Sequence, residues 1–176
     1  SITLSLKNSW DPAQTGNFSL QLTSAGNGST RFASRKDAFI TIVNSLIGIC
    51  DEVANGKMED PFVAQDSLLE ESQFAHNSTT DFTNNIRGVK NAYMCTYIND
   101  GTGLNELVAT LNLSLDNTIR AEIDAAINSF SAIDENYGIA IYNQPVQILN
   151  TQSKINALKE TLETDLMDFI ITNVKD

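Results

Sequence analysis

EESQFAHNSTTDFTNNIRGVKNAYMCTY, residues Glu70–Tyr97, sets a polar loop directly against a helix start. Asn77 or Ser78 suits an N-cap, and Asp81 falls in the first turn, where a carboxylate complements the positive end of the helix dipole. Beyond the cap, Phe82, Ile86, Val89, Tyr93 and Tyr97 recur at helical spacing. That predicts a helix running to about Asn99 with one face in the core. Asn84, Arg87 and Asn91 make a second stripe at i, i+3 and i+7. Asn is a poor helix former because its side chain competes for the backbone. Asn84, Asn85 and Asn91 around one Arg therefore need a reason. Two are open: a cap with inter-helix hydrogen bonds, or a polar patch facing a ligand or a second domain.

Working outward, the spacing predicts a mostly buried helix over about 30–55, with Phe39, Ile42, Val43, Leu46, Cys50 and Val53 inside and Gly56 as its C′ stop. Asp51 and Glu52 then fall in a last turn, where negative charge opposes the dipole, and Lys57 is placed to offset them. Residues 57–77 read as a long loop with Pro61 and the acidic Asp66, Glu70 and Glu71. After Asp100-Gly101 come a short helical piece at 104–111, a helix capped by Asp116 or Asn117, and a last helix opening near Pro145. Lys154, Lys159, Glu160, Glu163 and Asp168 form that helix's solvated face. Residues 1–31 read as an irregular lead-in: Ile2, Leu4 and Leu6 alternate, but a lone strand has no partner. The expectation is one all-α domain over 1–176, an up-and-down four-helix bundle with long N-terminal and inter-helix loops.

Asp and Glu total 22 against 11 Lys and Arg, a net charge of −11. Nucleic acid needs a basic surface to displace counterions, so this balance argues against it, and equally against docking on anionic lipid. No run is long enough for direct membrane insertion. The chain opens at Ser1 rather than Met, as a mature, processed or truncated product would. Cys50 and Cys95 both lie in apolar helical surroundings and read as buried thiols. With two Cys and one His, and no CxxC or HxxxH, a closed zinc site is not expected.

No catalytic pattern stands out. His76 is the sole candidate base and sits in a loop beside a helix start. HExxH, a P-loop, GxGxxG and the ExxH pairs of di-iron bundles are all absent. Carboxylate pairs at Asp51/Glu52, Glu70/Glu71 and Glu160/Glu163 are ordinary on an acidic protein.

Two blocks nevertheless resemble a family. Ile47-Gly48-Ile49-Cys50-Asp51-Glu52-Val53-Ala54-Asn55-Gly56-Lys57 is similar to a helix end of imelysin-like proteins, the insulin-cleaving metallopeptidase family. Glu71-Ser72-Gln73-Phe74, Asp81 and Asn84-Asn85-Ile86-Arg87-Gly88-Val89-Lys90-Asn91-Ala92-Tyr93 resemble a second block of that family, and the likeness extends loosely over 35–172. The resemblance implies a bacterial cell-envelope protein, secreted, periplasmic or a lipid-anchored lipoprotein, associated with iron uptake and built from two helical bundles. It implies a metal or ligand site in the cleft between those bundles, and here the C-terminal half. By position, the implied ligand-binding residues are Glu71, Ser72, Asp81, Asn85 and Arg87. The family's GxHxxE motif is absent from this chain, and Ala75 stands where Ser is usual. The implied partner is therefore an N-terminal domain carrying GxHxxE. Iron, another divalent metal or an iron-bearing ligand would be shared with it. The expectation is a module that is non-catalytic by itself; the alternatives are a metallopeptidase domain and a purely structural or interaction bundle.

Overall fold

The computed structural model of the protein describes residues 2–97 and 99–175. The chain runs α1 (Ile2–Trp10), α2 (Phe18–Thr23), α3 (Arg35–Glu52), a π-helical segment (Val53–Met58), α4 (Glu59–Ala64) and a 3-10 turn (Ser67–Leu69). It continues with α5 (Ser78–Met94), α6 (Leu104–Leu111), α7 (Leu113–Ser129), a 3-10 turn (Phe130–Ala132) and α8 (Tyr137–Asn143). Then follow α9 (Pro145–Thr161), a second π-helical segment (Leu162–Leu166) and α10 (Met167–Asn173). Among the described residues there is one isolated β-bridge, Thr96 to Asp100, and no strand. The class is all-α, as the periodicity predicts. No helix among them is long and apolar enough to cross a membrane.

Two compact units divide the chain: residues 1–44 with 167–176, and residues 45–166. In the first, the expected irregular lead-in holds two helices. A helix satisfies its own backbone groups, whereas the alternating Ile2, Leu4 and Leu6 had no neighbouring strand to bond. Asn17 caps α2 by accepting from Leu20 N–H at 2.7 Å. Ala25, Phe32 and Ala38 form a small core with Phe18 and Leu22 against it. Trp10 and Phe32 each meet the Phe18 ring edge-on, and the Arg31 guanidinium lies 5.4 Å from its centroid. A reciprocal cap starts α3: Ser34 N–H donates to Asp37 Oδ2 and Asp37 N–H to Ser34 Oγ, both at 3.0 Å.

In the second unit, α5 packs on α7, α7 on α9, α9 on the first π segment, and that segment on α5. Phe82, Ile86, Val89 and Tyr93 of α5 are fully buried, as the spacing predicts. Tyr97 is not; it is 86% exposed. The helix ends at Met94, with Cys95 in the left-handed region at φ 51°. Cys95 is exposed and only Cys50 is buried; both are free.

Gly56 does not stop the first long helix. The chain widens into the π segment and continues through α4 to Gln65, which caps it at φ 50°. Pro61 has no N–H to donate and crowds the preceding turn, and an extra residue in the turn before it lets the helix absorb that loss. Asp51 and Glu52 therefore do not face a helix terminus. Asp51 instead pairs with Lys159 at 2.7 Å and accepts from Asn55 at 2.8 Å, while Lys57 reaches Glu52 at 3.6 Å. Lys159 is thus engaged rather than merely solvated. The α7 cap also differs from expectation. Asn112 accepts from Leu115 N–H at 3.1 Å, while Asp116 is buried, holding Tyr93 Oη at 3.0 Å and Arg120 Nε at 2.8 Å.

Candidate functional site

The site-bearing region is the segment between α4 and α5, which the sequence leaves as loop but the structure ties down at each end. Gln65 Nε2 donates to Ile141 O and Tyr142 Oη to Gln65 O, both at 3.0 Å, fastening the end of α4 to α8. Tyr137 Oη donates to Met58 O at 2.6 Å, so a carbonyl of the π segment is also held by α8. Burial, with help from the nearby Glu59 and Glu70 charges, raises the Tyr137 phenol well above its ordinary pKa. It stays a donor. Its ring meets Phe82 edge-on at 5.2 Å.

Within the segment, Asp66 caps the 3-10 turn by accepting from Leu68 N–H at 2.9 Å. The chain then turns at 72–76, where Ser72 O accepts from Ala75 N–H and His76 N–H at 3.1 and 2.8 Å. His76 adopts φ 52°, a backbone region uncommon for a residue with a Cβ. This tight turn leaves Phe74 92% exposed.

Five side chains lock the turn to the start of α5. Ser78 Oγ donates to Glu70 Oε2 at 2.9 Å and accepts from Ser72 N–H at 3.1 Å. Ser72 Oγ donates to Asp81 Oδ2 at 2.6 Å, and Asn77 Nδ2 to Asp81 Oδ1 at 2.8 Å. Both Asp81 oxygens are therefore committed to fixing the loop. Asn77 bonds the Asp81 side chain instead of capping the helix with its own oxygen.

Beside this frame opens a cleft of about 420 Å³ lined by Ser67, Leu68, Glu70, Gln73, Phe74, His76, Asn136, Gly138 and Ile139. Glu70 is 5% exposed. Gly138 lies close behind it: a Cβ there would sit 2.7 Å from Glu70 Oε1 and 3.0 Å from Ser67 Cβ, so the Glu70 carboxylate would have to shift. Leu68, Phe74 and Ile139 leave apolar surface exposed at the rim.

Of the residues singled out by sequence, the structure brings Ser72 and Asp81 together. Glu71 turns toward the π segment and pairs with Lys57 at 3.0 Å. Asn85 lies one turn on from Asp81, half-buried, with no hydrogen bond joining it to the frame. Arg87 donates to Asn84 at 3.1 Å on the exposed side and lines a separate groove with Thr79, Thr83, Ile127 and Phe130. Sequence reasoning missed Glu70 and Ser78 as a pair. Their spacing of eight residues across a turn has no periodic signature, and the glycine that makes room for Glu70 lies 68 positions away by numbering.

Comparison with known proteins follows the same outline. A family model for imelysin, a peptidase family, matches residues 3–164. No curated protein matches. Among solved structures, an imelysin peptidase from Bacteroides ovatus aligns with TM-score 0.83 at 23% identity, over 97% of this chain and 50% of its own. A candidate iron-regulated protein A precursor from Parabacteroides distasonis aligns with TM-score 0.83 at 22% identity, over 97% of this chain and 52% of its own. This chain thus spans about half the length of the solved structures it matches. With the family model covering most of its length, the chain belongs to the imelysin family.

Proposed function

We propose that the 45–166 unit is a binding module, not catalytic by itself, that supplies one wall of a ligand site in an imelysin-like protein of the bacterial cell envelope associated with iron uptake. The observation that carries this is the cleft over Glu70. Its backbone is fixed by the Ser72–Asp81 and Ser78–Glu70 hydrogen bonds, while Phe74 and Leu68 stand 92% and 70% exposed at its edge. Rigid framing and an uncovered apolar rim suit a surface that closes on something else. The half-length alignment supports a second helical domain as the other wall, and the iron-regulated neighbour supports the iron association.

The residues present do not by themselves fit a metal. No group of three His, Cys, Asp or Glu side chains converges among the described residues, and Asp81 spends both oxygens on Ser72 and Asn77. Any iron would need donors from the partner domain that carries GxHxxE. The Ser72 hydroxyl, bonded to a carboxylate with no imidazole between them, lacks the base-and-orienter arrangement of an activated nucleophile.

The test is a Fe²⁺ titration of the full-length protein and its Asp81→Asn variant, which loosens the loop that frames the cleft rather than removing a metal donor, with melting temperature as a folding control. A folded variant that binds at least about tenfold more weakly supports the reading. Unchanged affinity removes this wall from the site. Chelator-sensitive peptide hydrolysis abolished by the same substitution would replace the binding module with an enzyme.

A further inference from the structure

Glu70 is an acidic side chain that the fold buries without an ion-pair partner among the described residues. At 5% exposure it is among the most buried acidic side chains of the chain, with Asp116. Asp116 meets the Arg120 guanidinium at 2.8 Å. Glu70 meets no Lys, Arg or His ion-pair partner among the described residues; its hydrogen bond is the neutral Ser78 hydroxyl on Oε2. Oε1 lies toward Gly138, in the lining of the 420 Å³ cleft. Removing a carboxylate from water without a counter-charge is costly, and such groups are ordinarily paired. The cleft provides the approach for one.

What approaches is constrained by the lining. Gln73, His76 and Asn136 offer polar atoms, while Leu68, Phe74 and Ile139 offer apolar surface, with an aromatic ring at the mouth. A small hard cation would want several oxygen donors at once. A cationic group on an apolar body uses both kinds of surface: the ammonium reaches the carboxylate, the body lies along the apolar rim, and the Phe74 face adds cation–π attraction. With the chain at −11 overall, the surrounding field also favours a cation.

From these features we infer that the Glu70 cleft recognises an organic cation, a primary ammonium carried on an aliphatic body. This deepens the binding-module reading and rests on it only in taking this cleft as a ligand site. Glu70 binds the charge; Ser78 and Gly138 position Glu70; Phe74 and Leu68 hold the body.

The experiment is calorimetric titration of the full-length protein with n-hexylammonium, methylammonium and neutral n-hexanol. Hexylammonium binds best, and Glu70→Gln weakens it at least about tenfold. Because Glu70→Gln alters a buried group, Phe74→Ala, at a 92% exposed position, serves as the second variant. It lowers hexylammonium affinity about two- to fivefold, through lost cation–π attraction and lost apolar contact, and methylammonium affinity by less. Equal binding of hexanol and hexylammonium, each weakened by Phe74→Ala, overturns the charge recognition but keeps the cleft as a ligand site. Absence of hexylammonium binding in a protein whose Fe²⁺ binding is weakened by Asp81→Asn overturns the organic-cation inference alone. Failure of both titrations overturns both.

Discussion

Ser78 Oγ donates to Glu70 Oε2 at 2.9 Å while accepting from Ser72 N–H at 3.1 Å, so one hydroxyl joins the floor of the cleft to the start of α5. Both residues are buried. Ser78→Ala removes the donor to a buried carboxylate and orphans an amide in the same step. Loss of about 2–4 kcal/mol of stability is expected in denaturant unfolding. Asn85→Ala, outside the frame, is expected to cost less than about 0.5 kcal/mol. Equal effects of the two would show that the frame is not a fixed unit.

Gln152 makes a similar test at the first π segment. It is 5% exposed, and its Nε2 donates to Ala54 O at 2.9 Å and to Glu59 Oε2 at 2.6 Å. The widened turn frees a carbonyl that α9 then satisfies. Gln152→Ala strands both acceptors and opens a cavity, at an expected cost of about 2–4 kcal/mol. Hydrogen exchange across 53–64 should rise in the same variant.

The two cysteines should separate chemically. Burial pushes the Cys50 thiol up to about 12, with the Lys159 charge opposing and Asp51 adding to the shift. Cys95 is exposed at the end of α5. A thiolate-specific reagent at neutral pH should titrate one thiol in the native protein and two after unfolding. Two fast thiols in the native state would contradict the burial of Cys50.

The Asp51–Lys159 pair sets a pH dependence. Hydrogen bonds from Lys159 and then Asn55 hold the Asp51 carboxyl below its ordinary 3.8. A carboxylate with a lowered folded pKa stabilises the fold above its unfolded pKa, and that contribution is lost as pH falls through the folded value. Lys159 is raised above its ordinary 10.5, chiefly by its hydrogen bond to Asp51. Its contribution is full below that pH and is lost as pH rises through the folded value. The stability difference between wild type and Asp51→Asn should therefore be constant from about pH 5 to 9 and vanish toward both extremes. Because the Asp51 side chain is 53% exposed, the difference should also shrink in high salt.

The all-α class and the α5 core were legible because Phe82, Ile86, Val89 and Tyr93 repeat at the helical period, which burial on one face imposes directly on sequence. The π segments were not, since an inserted residue shifts the apolar stripe without a residue type of its own, and Gly56 looked like a helix stop. Local rules placed Ser72 and Asp81 correctly as a loop meeting a helix start. They could not separate Glu70 from Glu71, adjacent carboxylates of which one is buried over Gly138 and the other pairs outward with Lys57. That choice is made by tertiary packing. Arg87 and Asn84 lay on the predicted stripe, yet they bond to one another on the exposed side, away from the cleft.

The most direct measurement is hydrogen–deuterium exchange of the full-length protein with and without Fe²⁺, read at peptides spanning 67–81. If this segment is a wall of the ligand site, its amides gain protection on binding while the 104–111 helix does not change. Protection elsewhere, with 67–81 unaltered, would contradict the account.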